Sequence, residues 1–413
     1  MASSSPLSVI IPVWNQWNLT KACLESLRQH TPGNFYEVIV TDNGSDDETV
    51  SQLESLGTTL FGAKFKRIRL ESNLGFGPAC NLGAEAASGE KLLFLNNDTL
   101  LTNGWLAPLM KSFDEDPRLG AVGPLLLYPD SDRVQHAGIA FTPALRTQHL
   151  YANFPASHPV VQVRRNLQAI TGACLMLPRK LFMACGGFYK GYKNGSEDLE
   201  LCSRIRELGK RLTCIPQSKV YHLESQTPGR GDDDDLNAAL LNERCKGCFG
   251  PDMHKYAARD GYRFAITPWL ESYVTLPDER EAELNERLKN GFDAGVCWQS
   301  LQEEPLWQTG YVLLASYLEQ SGMFVEASGV CLLQTYFFPM LPHYRQLAST
   351  AAMAGNADLA EQAIAKVEHI DSLLEDVGAL TKKAAGLANW ARKAGESDLQ
   401  NMYEGWLRDL GLL

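Results

Sequence analysis

Three polar side chains follow directly after an apolar stretch in the first quarter of the sequence. Residues 91–95 are mostly apolar, and Asn96, Asn97 and Asp98 come immediately after them. Side chains of an extended chain alternate between faces, so Asn96 and Asp98 lie on one side and Asn97 on the other. Such a pair of oxygen ligands suits Mg²⁺ or Mn²⁺, which bind few protein oxygens together with those of a phosphate. Taken alone, the stretch is more typical of a turn after a strand.

Two other groups of residues have the chemistry of a site. Glu197, Asp198 and Glu200 stand at the start of a helical pattern, where the helix N-terminus stabilises negative charge, although ordinary capping also explains them. His222 lies in the strand-like segment KVYHLES, where a lone histidine is more often a core residue than a ligand. The three groups form one site only if their elements end at the same edge of a sheet.

Strand and helix patterns alternate through the first half of the chain. This order predicts right-handed βαβ units around a parallel sheet, which binds ligands beyond the carboxyl ends of its strands. Past residue 120 the pattern is weaker, and the aspartates at 232–235 are predicted to lie in a solvated loop. The predicted strands are 7–13, 36–43, 65–72, 91–97 and 211–225, the predicted helices are 19–30, 49–57, 77–88 and 196–209, and 169–182 is predicted to be a strand entering a helix.

The composition is that of an ordinary folded protein. The 413 residues are 45% apolar and 21% charged, and the net charge of −11 without a dense basic run argues against nucleic acid as a partner. No apolar run is long enough for a membrane span, and the first residues lack a signal-peptide pattern. We therefore expect a cytoplasmic protein with at most peripheral membrane association. Of the ten cysteines, Cys245 and Cys248 are the one close pair, and a zinc site would need a second pair or histidines at matching spacing.

From about residue 297 onward, strand patterns give way to helices. Three segments have the form helix, glycine turn, helix, with the turns at Gly322, Gly355 and Gly395. Their spacing is close to the tetratricopeptide period of about 34 residues. We expect a C-terminal, all-α helical-repeat domain that binds an acceptor or partner, or that assembles the protein into homo-oligomers.

Six blocks of the first 250 residues resemble, in content and order, the inverting family 2 glycosyltransferases of the GT-A fold, especially their bacterial rhamnosyltransferase-like branch. The resemblance covers roughly residues 7 to 250 and implies an α/β domain with a mostly parallel sheet flanked by helices, which we assign to 1–265. The helix and glycine-turn pattern predicts the tetratricopeptide-like domain at 297–413, with a bridging segment at 266–296. The blocks are LSVIIPVWNQWNLTKACLESL, YEVIVTDNGSDDET, ESNLGFGPACNLGAEAASGEKLLFLNNDT, ITGACLMLPRKLFMACGGF, SEDLELCSRIRELG and KVYHLES.

The resemblance also implies roles for individual residues. Asp198 matches the catalytic base, with Glu197 as its neighbour on the acceptor side. Asn96 and Asp98 occupy the family's Asp-x-Asp metal position, and His222 matches the late histidine that completes the metal shell. The residues implied to bind the nucleotide sugar are Pro12, Trp14, Asn15, Asp42, Asn43, Asn73, Gly75, Asn81, Asn97 and Gly172.

One departure from the family pattern is the asparagine at position 96. It removes a formal charge, so the ion would depend on Asp98, His222 and the donor diphosphate, a mixed ligand set that suits Mn²⁺ at least as well as Mg²⁺. The pKa of Asp198 is subject to two opposing effects, since the helix end lowers it and desolvation on donor binding raises it.

The expected activity is that of a metal-dependent glycosyltransferase of the hexosyltransferase type. It would move a sugar with inversion from a UDP- or dTDP-linked donor to a hydroxyl of a cell-surface glycan or of a protein such as flagellin. An alternative is a catalytically lapsed scaffold whose helical repeats bind a partner protein. A nucleotidyltransferase is disfavoured because the first strand-to-helix turn lacks a glycine-rich, basic phosphate loop.

Overall fold

The computed structural model describes residues 6–223, 233–289 and 291–410. The chain divides into two compact units. The first comprises residues 1–140 and 147–250, and the second comprises residues 141–146 and 251–413. The predicted boundaries at 265 and 296 stay predictions.

The first 140 residues and residues 147–250 alternate between strands and helices. Short 3₁₀ turns occupy Gly62–Lys64 and Pro159–Gln162. The strands are β1 (Leu7–Val13), β2 (Tyr36–Asp42), β3 (Phe65–Arg69), β4 (Lys91–Leu95), β5 (Thr99–Leu101), β6 (Leu119–Leu127), β7 (Val134–His136), β8 (Ile139–Phe141), β9 (Thr147–His149), β10 (Cys174–Pro178) and β11 (Arg211–His222). The helices are α1 (Trp17–His30), α2 (Thr49–Phe61), α3 (Phe76–Ala86), α4 (Leu106–Glu115), α5 (Arg179–Ala184), α6 (Glu197–Glu207) and α7 (Asp234–Arg244).

The main sheet has the order β3-β2-β1-β4-β10-β6-β11-β5, with β7 added beside β6. β1 to β4 pair in parallel, as do β6 and β11, whereas β10 runs antiparallel between β4 and β6. All residues of β2 and β6 are buried, as expected for strands covered on both faces. The sheet is therefore mixed rather than wholly parallel, and the predicted α/β class with a GT-A-like sheet is confirmed.

The sequence patterns located most of these elements. The strands and helices predicted between residues 7 and 97 are present with small shifts at their ends, as are β10 with α5, α6 and β11. β6 was not predicted, although it lies in the middle of the sheet. The prediction of a loop at the aspartate run is wrong for Asp234 and Asp235, which open α7, because acidic residues favour a helix N-terminus. Asp232 lies outside the described residues.

The second unit is mostly helical, with one short β-hairpin before the long helices. Gly322, Gly355 and Gly395 each follow the first helix of a pair with φ of 74 to 76°, a left-handed conformation that glycine adopts without strain. The predicted three helix pairs are confirmed. The elements are α8 (Met253–Arg259), β12 (Arg263–Ile266), β13 (Ser272–Thr275), α9 (Asp278–Glu286), α10 (Ala294–Glu303), α11 (Gln308–Gln320), α12 (Phe324–Phe337), α13 (Leu341–Met353), α14 (Ala357–Glu375), α15 (Val377–Ala394) and α16 (Ser397–Asp409).

None of the helices in the described ranges combines the length and the apolar content needed to cross a bilayer.

Candidate active site

One edge of the main sheet opens into a cavity of about 380 Å³. The carboxyl ends of β1, β4 and β11 point to this edge. β10 runs antiparallel to β4, so its amino end, together with residues 171–173 that precede β10 in the chain, lies at the same edge. The structure thus collects eleven of the predicted site residues around one cavity. They are Pro12, Trp14, Asn43, Asn73, Asn96, Asn97, Asp98, Gly172, Glu197, Asp198 and His222.

Asn96, Asp98 and His222 meet at this cavity. His222 Nε2 lies 3.2 Å from Asp98 Oδ1 and 3.5 Å from Asn96 Nδ2. The backbone sets this geometry, because β5 pairs with the end of β11 and the Leu223 N–H donates to the Asp98 carbonyl at 2.9 Å. Asn97 is turned away, and its Nδ2 donates to Thr20 Oγ1 at 2.9 Å. Asn97 and Asp98 lie in a turn between β4 and β5, so this turn, rather than the alternation of an extended chain, brings Asn96 and Asp98 together.

Gln135 of β7 fixes the ring of His222. Its Nε2 donates to the His222 carbonyl at 3.0 Å, which leaves its Oε1 facing His222 Nδ1 at 2.7 Å. An amide oxygen only accepts, so Nδ1 donates a ring proton to Gln135, and in the neutral ring Nε2 presents a lone pair towards Asp98. A carboxylate and an imidazole lone pair at 3.2 Å repel each other unless a cation or a proton lies between them.

The residues present fit a divalent cation. Asn96 Oδ1 is buried and has no hydrogen-bond partner among the described residues, as a metal-directed oxygen would. The ligand set of one amide oxygen, one carboxylate and one imidazole suits Mn²⁺ or Mg²⁺. The described part of the chain contains no cluster of three His, Cys, Asp or Glu side chains placed to bind a metal. The third protein ligand would therefore be the neutral amide of Asn96.

Asp198 lies in the first turn of α6 on another part of the cavity wall. Its Oδ2 accepts the Gly172 N–H and its Oδ1 accepts the Leu199 N–H, both at 2.8 Å. Burial raises the pKa of Asp198, although these N–H groups and the charge of His149 act to lower it. Desolvation therefore outweighs the helix end, which the sequence alone left open. A carboxylate with a raised pKa is a stronger base for an acceptor proton.

The two glutamates beside Asp198 have different environments. Glu197 lines the cavity, and its Oε2 accepts the Gly195 N–H at 2.7 Å. Glu200 is buried away from the lining, and its carboxylate binds Arg244 at 2.7 Å and Arg204 at 2.5 Å. Glu200 therefore anchors α6, which leaves Glu197 and Asp198 as the acidic groups of this helix that face the cavity.

Asn43 organises the loop before α3. Its Nδ2 donates to Asn73 Oδ1 at 2.7 Å and to the Gly75 carbonyl at 3.2 Å, while its Oδ1 accepts the Leu74 N–H at 2.9 Å. Gly75 has a φ of 90°, which a side chain would strain. Asn43 and Asn73 line the cavity, whereas Gly75 lies behind them.

Asn15, Asp42 and Asn81 also lie outside the cavity lining. Asn15 Oδ1 accepts the Asp46 N–H at 2.8 Å, and Asn81 binds both backbone groups of Phe188. The roles predicted for these residues in binding the nucleotide stay predictions.

Asp42 is fully buried at the end of β2. Its Oδ2 binds Arg67 at 2.5 Å and Arg69 at 2.7 Å, and its Oδ1 accepts the Ser45 N–H at 3.0 Å. Burial acts to raise the pKa of Asp42, but the hydrogen bonds from Arg67 and Ser45 outweigh it and hold the pKa below its usual value.

Several residues of the cavity were not singled out in the sequence. Gln135 and His136 form the polar pair of VQHAGIAF, a segment of the region where the strand and helix patterns are weak. Two adjacent polar residues before an apolar run were the available signal. The cavity residues that the sequence analysis missed include Gln16, Gln135, Thr147, His149, Thr171, Asn194, Gly195, Ser196 and Asp234.

Part of this chain is similar to known proteins. Residues 8–186 match the family described as "Glycosyl transferase family 2". The chain is 30% identical over 250 residues to the uncharacterized protein y4gI of Sinorhizobium fredii, covering 59% of this chain and 27% of that protein. It is 32% identical over 228 residues to the O-antigen biosynthesis protein RfbC of Myxococcus xanthus, covering 53% and 17%. The chain therefore spans less than a third of the length of either relative.

Among solved structures, the mannosyltransferase PcManGT from Pyrobaculum calidifontis, in complex with GDP-Man and Mn²⁺, is similar to this chain. The match has a TM-score of 0.44 and 17% identity, and it covers 87% of this chain and 88% of that one.

Proposed function

We propose that this chain, whose residues 8–186 match glycosyl transferase family 2, is an inverting, metal-dependent glycosyltransferase. It moves a sugar from a nucleotide-diphosphate sugar to an acceptor hydroxyl. The observation that carries the proposal is that the half-buried carboxylate of Asp198 and the trio Asn96, Asp98 and His222 line the same cavity.

In this proposal Asp198 takes the proton of the acceptor hydroxyl. The hydroxyl oxygen attacks the anomeric carbon on the face opposite the diphosphate, which inverts the configuration there. The N–H groups of Gly172 and Leu199 hold one lone pair of each carboxylate oxygen, so the remaining lone pairs have a fixed direction. Fixed orientation of a base lowers the entropy that the reaction must lose.

Asn96, Asp98 and His222 would hold the Mn²⁺ or Mg²⁺ ion at the diphosphate. When bound, the ion supplies Lewis-acid stabilisation of the negative charge that develops on the leaving diphosphate. Gln135 acts behind the trio, since it keeps the His222 proton on Nδ1 and so keeps Nε2 available as a ligand.

The nucleotide would lie along the loops that follow β1 and β2. Pro12 and Trp14 frame the base, while Asn43 and Asn73 lie under the ribose and diphosphate. Asn15, Asp42, Gly75 and Asn81 are also proposed to belong to the nucleotide-sugar site, although they lie outside the cavity lining, and Asn97 and Gly172 complete its wall. The donor is a UDP- or dTDP-linked sugar.

The acceptor is a hydroxyl of a cell-surface glycan or of a protein such as flagellin. The relative named for O-antigen biosynthesis supports the glycan acceptor.

The helical pairs of the second unit are proposed to bind the acceptor or a second copy of the chain. Cytoplasmic location stays a prediction. The buried Asn96 Oδ1 without a partner among the described residues favours a working metal site over a lapsed scaffold.

A thermal-shift screen tests the proposal. The full chain is heated with UDP-, dTDP- and GDP-linked sugars in Mn²⁺, in Mg²⁺ and in EDTA, and donor hydrolysis is then measured for each nucleotide that binds. A donor present at a hundred times its Kd stabilises the folded state by about 2.7 kcal/mol, which raises Tm by a few degrees. We expect stabilisation by a UDP- or dTDP-sugar that EDTA abolishes. No shift with any nucleotide sugar would contradict the proposal.

A further inference from the structure

The three residues between β1 and α1 have an unusual backbone conformation at the wall of the cavity. Trp14 and Gln16 line the cavity, and Asn15 lies between them in the chain. Asn15 and Gln16 have φ of 55° and 59°, in the left-handed region that residues other than glycine seldom adopt. Asparagine tolerates this conformation better than glutamine does. Two successive residues of this kind persist only where the surrounding structure holds them.

The loop that follows β2 holds Asn15 in place. The Asn15 N–H donates to Ser45 Oγ at 2.8 Å, and Asn15 Oδ1 in return accepts the Asp46 N–H at 2.8 Å. Ser45 is itself buried, and its N–H donates to Asp42 Oδ1 at 3.0 Å. The position of Asn15 is therefore tied to the end of β2.

Asp47 connects the same loop to the residue that follows the left-handed pair. Its Oδ2 accepts the Trp17 N–H at 2.9 Å, and its Oδ1 accepts the Thr49 N–H at 3.0 Å. Trp17 and Thr49 are the first residues of α1 and α2, so each N–H group lacks a partner within its own helix. A single carboxylate thus fixes the start of α1 relative to the start of α2, and it does so from outside the cavity lining.

We propose that Asp47 is a positioning residue for the nucleoside of the donor. By fixing the start of α1, it holds residues 14–16 in the left-handed conformation that presents Trp14 to the base. This inference rests on the proposed function, in which Trp14 frames the base. Asp47 itself does not touch the donor, so it acts by raising the fraction of molecules in which this segment is ready to bind. The apparent Kd is the intrinsic Kd divided by that fraction.

This role predicts a selective loss of affinity. In the proposed function the diphosphate binds with the metal ion at Asn96, Asp98 and His222, which belong to other elements of the sheet edge. A change in residues 14–16 should therefore weaken binding of the nucleoside and leave binding of the diphosphate unchanged. A general loss of stability would not divide the two ligands in this way.

UDP and inorganic pyrophosphate separate the two effects, because pyrophosphate has the diphosphate without the nucleoside. In calorimetry of the full chain with Mn²⁺, Asp47→Ala should weaken UDP binding about tenfold, as when the ready fraction falls to about a tenth, while pyrophosphate affinity stays within about twofold. Hydrolysis of the UDP- or dTDP-sugar that gives the largest thermal shift is the second measurement. Donor KM should rise about tenfold with kcat within about twofold, because the lost affinity is common to the ground state and the transition state.

Asp46→Ala is the matched control. Asp46 is the exposed neighbour of Asp47, and among the residues that the structure describes its backbone N–H binds Asn15 whereas its carboxylate forms no hydrogen bond or ion pair. The alanine variant keeps that N–H group and should bind UDP as the wild-type chain does. Asp47→Asn keeps one accepting oxygen and should lose about threefold in UDP affinity. Melting curves verify folding, and Asp47→Asn serves if Asp47→Ala does not fold.

Three outcomes overturn the inference: UDP affinity of the Asp47 variants equal to wild type, equal losses of UDP and pyrophosphate affinity, or an Asp46→Ala variant as impaired as Asp47→Ala. Each would leave the proposed function standing. A wild-type chain that neither binds nor hydrolyses any nucleotide sugar would instead refute the proposed function, and this inference with it.

Discussion

Replacing Asp198 with Asn removes the proposed base and changes little else. In the structure each carboxylate oxygen accepts one backbone N–H at 2.8 Å, from Gly172 and from Leu199. An asparagine has one accepting oxygen, so one of these N–H groups would face an NH₂ group. The lost hydrogen bond costs about 1 kcal/mol of folding free energy.

The charge of Asp198 has an opposite effect on stability. Burial raises the pKa of Asp198 above its value in the unfolded chain, so the stabilisation linked to the protonated form is complete at low pH. It is lost as the pH rises through the raised pKa of the folded state. Near neutral pH the asparagine therefore avoids the cost of a buried charge, which offsets the lost hydrogen bond. We expect the variant to melt within a few degrees of the wild-type chain.

The catalytic effect should be far larger. A positioned general base contributes about 10²- to 10⁴-fold to a rate, equivalent to about 3 to 5 kcal/mol of activation free energy. The assay measures donor turnover at saturating donor, with donor Kd from calorimetry and Asp114→Asn, an exposed carboxylate of α4, as the control. Turnover should fall by that factor with Kd unchanged. A variant that keeps more than a tenth of wild-type turnover would refute Asp198 as the base.

Three further predictions concern the same cavity. Asp98→Asn removes the only carboxylate of the trio and should weaken Mn²⁺-dependent UDP binding at least about tenfold, measured by calorimetry; equal affinity would exclude Asp98 as a ligand. Gln135→Leu frees the His222 ring and should weaken Mn²⁺ binding by about 10- to 100-fold in a metal titration, whereas unchanged affinity would show that the hydrogen bond to Nδ1 is dispensable. For the wild-type chain, kcat should fall as the pH drops through the raised pKa of Asp198, and a kcat that does not change with pH on the acidic side would contradict this.

The sequence predicted those parts of the fold that are specified locally. β1 to β4 are short apolar strands separated by amphipathic helices, and that alternation alone predicts parallel βαβ units. The direction of β10 was not predictable in this way, because strand pairing depends on distant partners rather than on local pattern. β6 was missed because Gly120, Gly123 and Pro124 interrupt its apolar run, and glycine and proline are depleted in strands.

The candidate site shows the same division. Asn96, Asp98, Asp198 and His222 were identified from the sequence, since each lies close to the start or the end of a clear element. Which side chains contact these residues could not be predicted from the sequence, because those contacts depend on the register in which the strands pair. Pairing of β3 with β2 places Asp42 opposite Arg69, which accounts for the ion pair between the buried Asp42 and the partly exposed Arg69.

The contact between His136 and His149, whose Nδ1 atoms lie 3.1 Å apart, is a second example of what register reveals. His136 ends β7 and His149 ends β9, and no local pattern links the two residues. Their contact depends on how the chain folds back after β8, which composition and periodicity do not encode.

The most direct test of the central claim is pulsed electron paramagnetic resonance of Mn²⁺ bound to the full chain with UDP. If Asn96, Asp98 and His222 hold the ion, the spectrum should contain modulation from one directly bound imidazole nitrogen. The signal should change when the histidines are labelled with ¹⁵N and disappear in His222→Phe. Bound Mn²⁺ without nitrogen modulation, or a signal unchanged in His222→Phe, would contradict the metal site on which the proposed transferase depends.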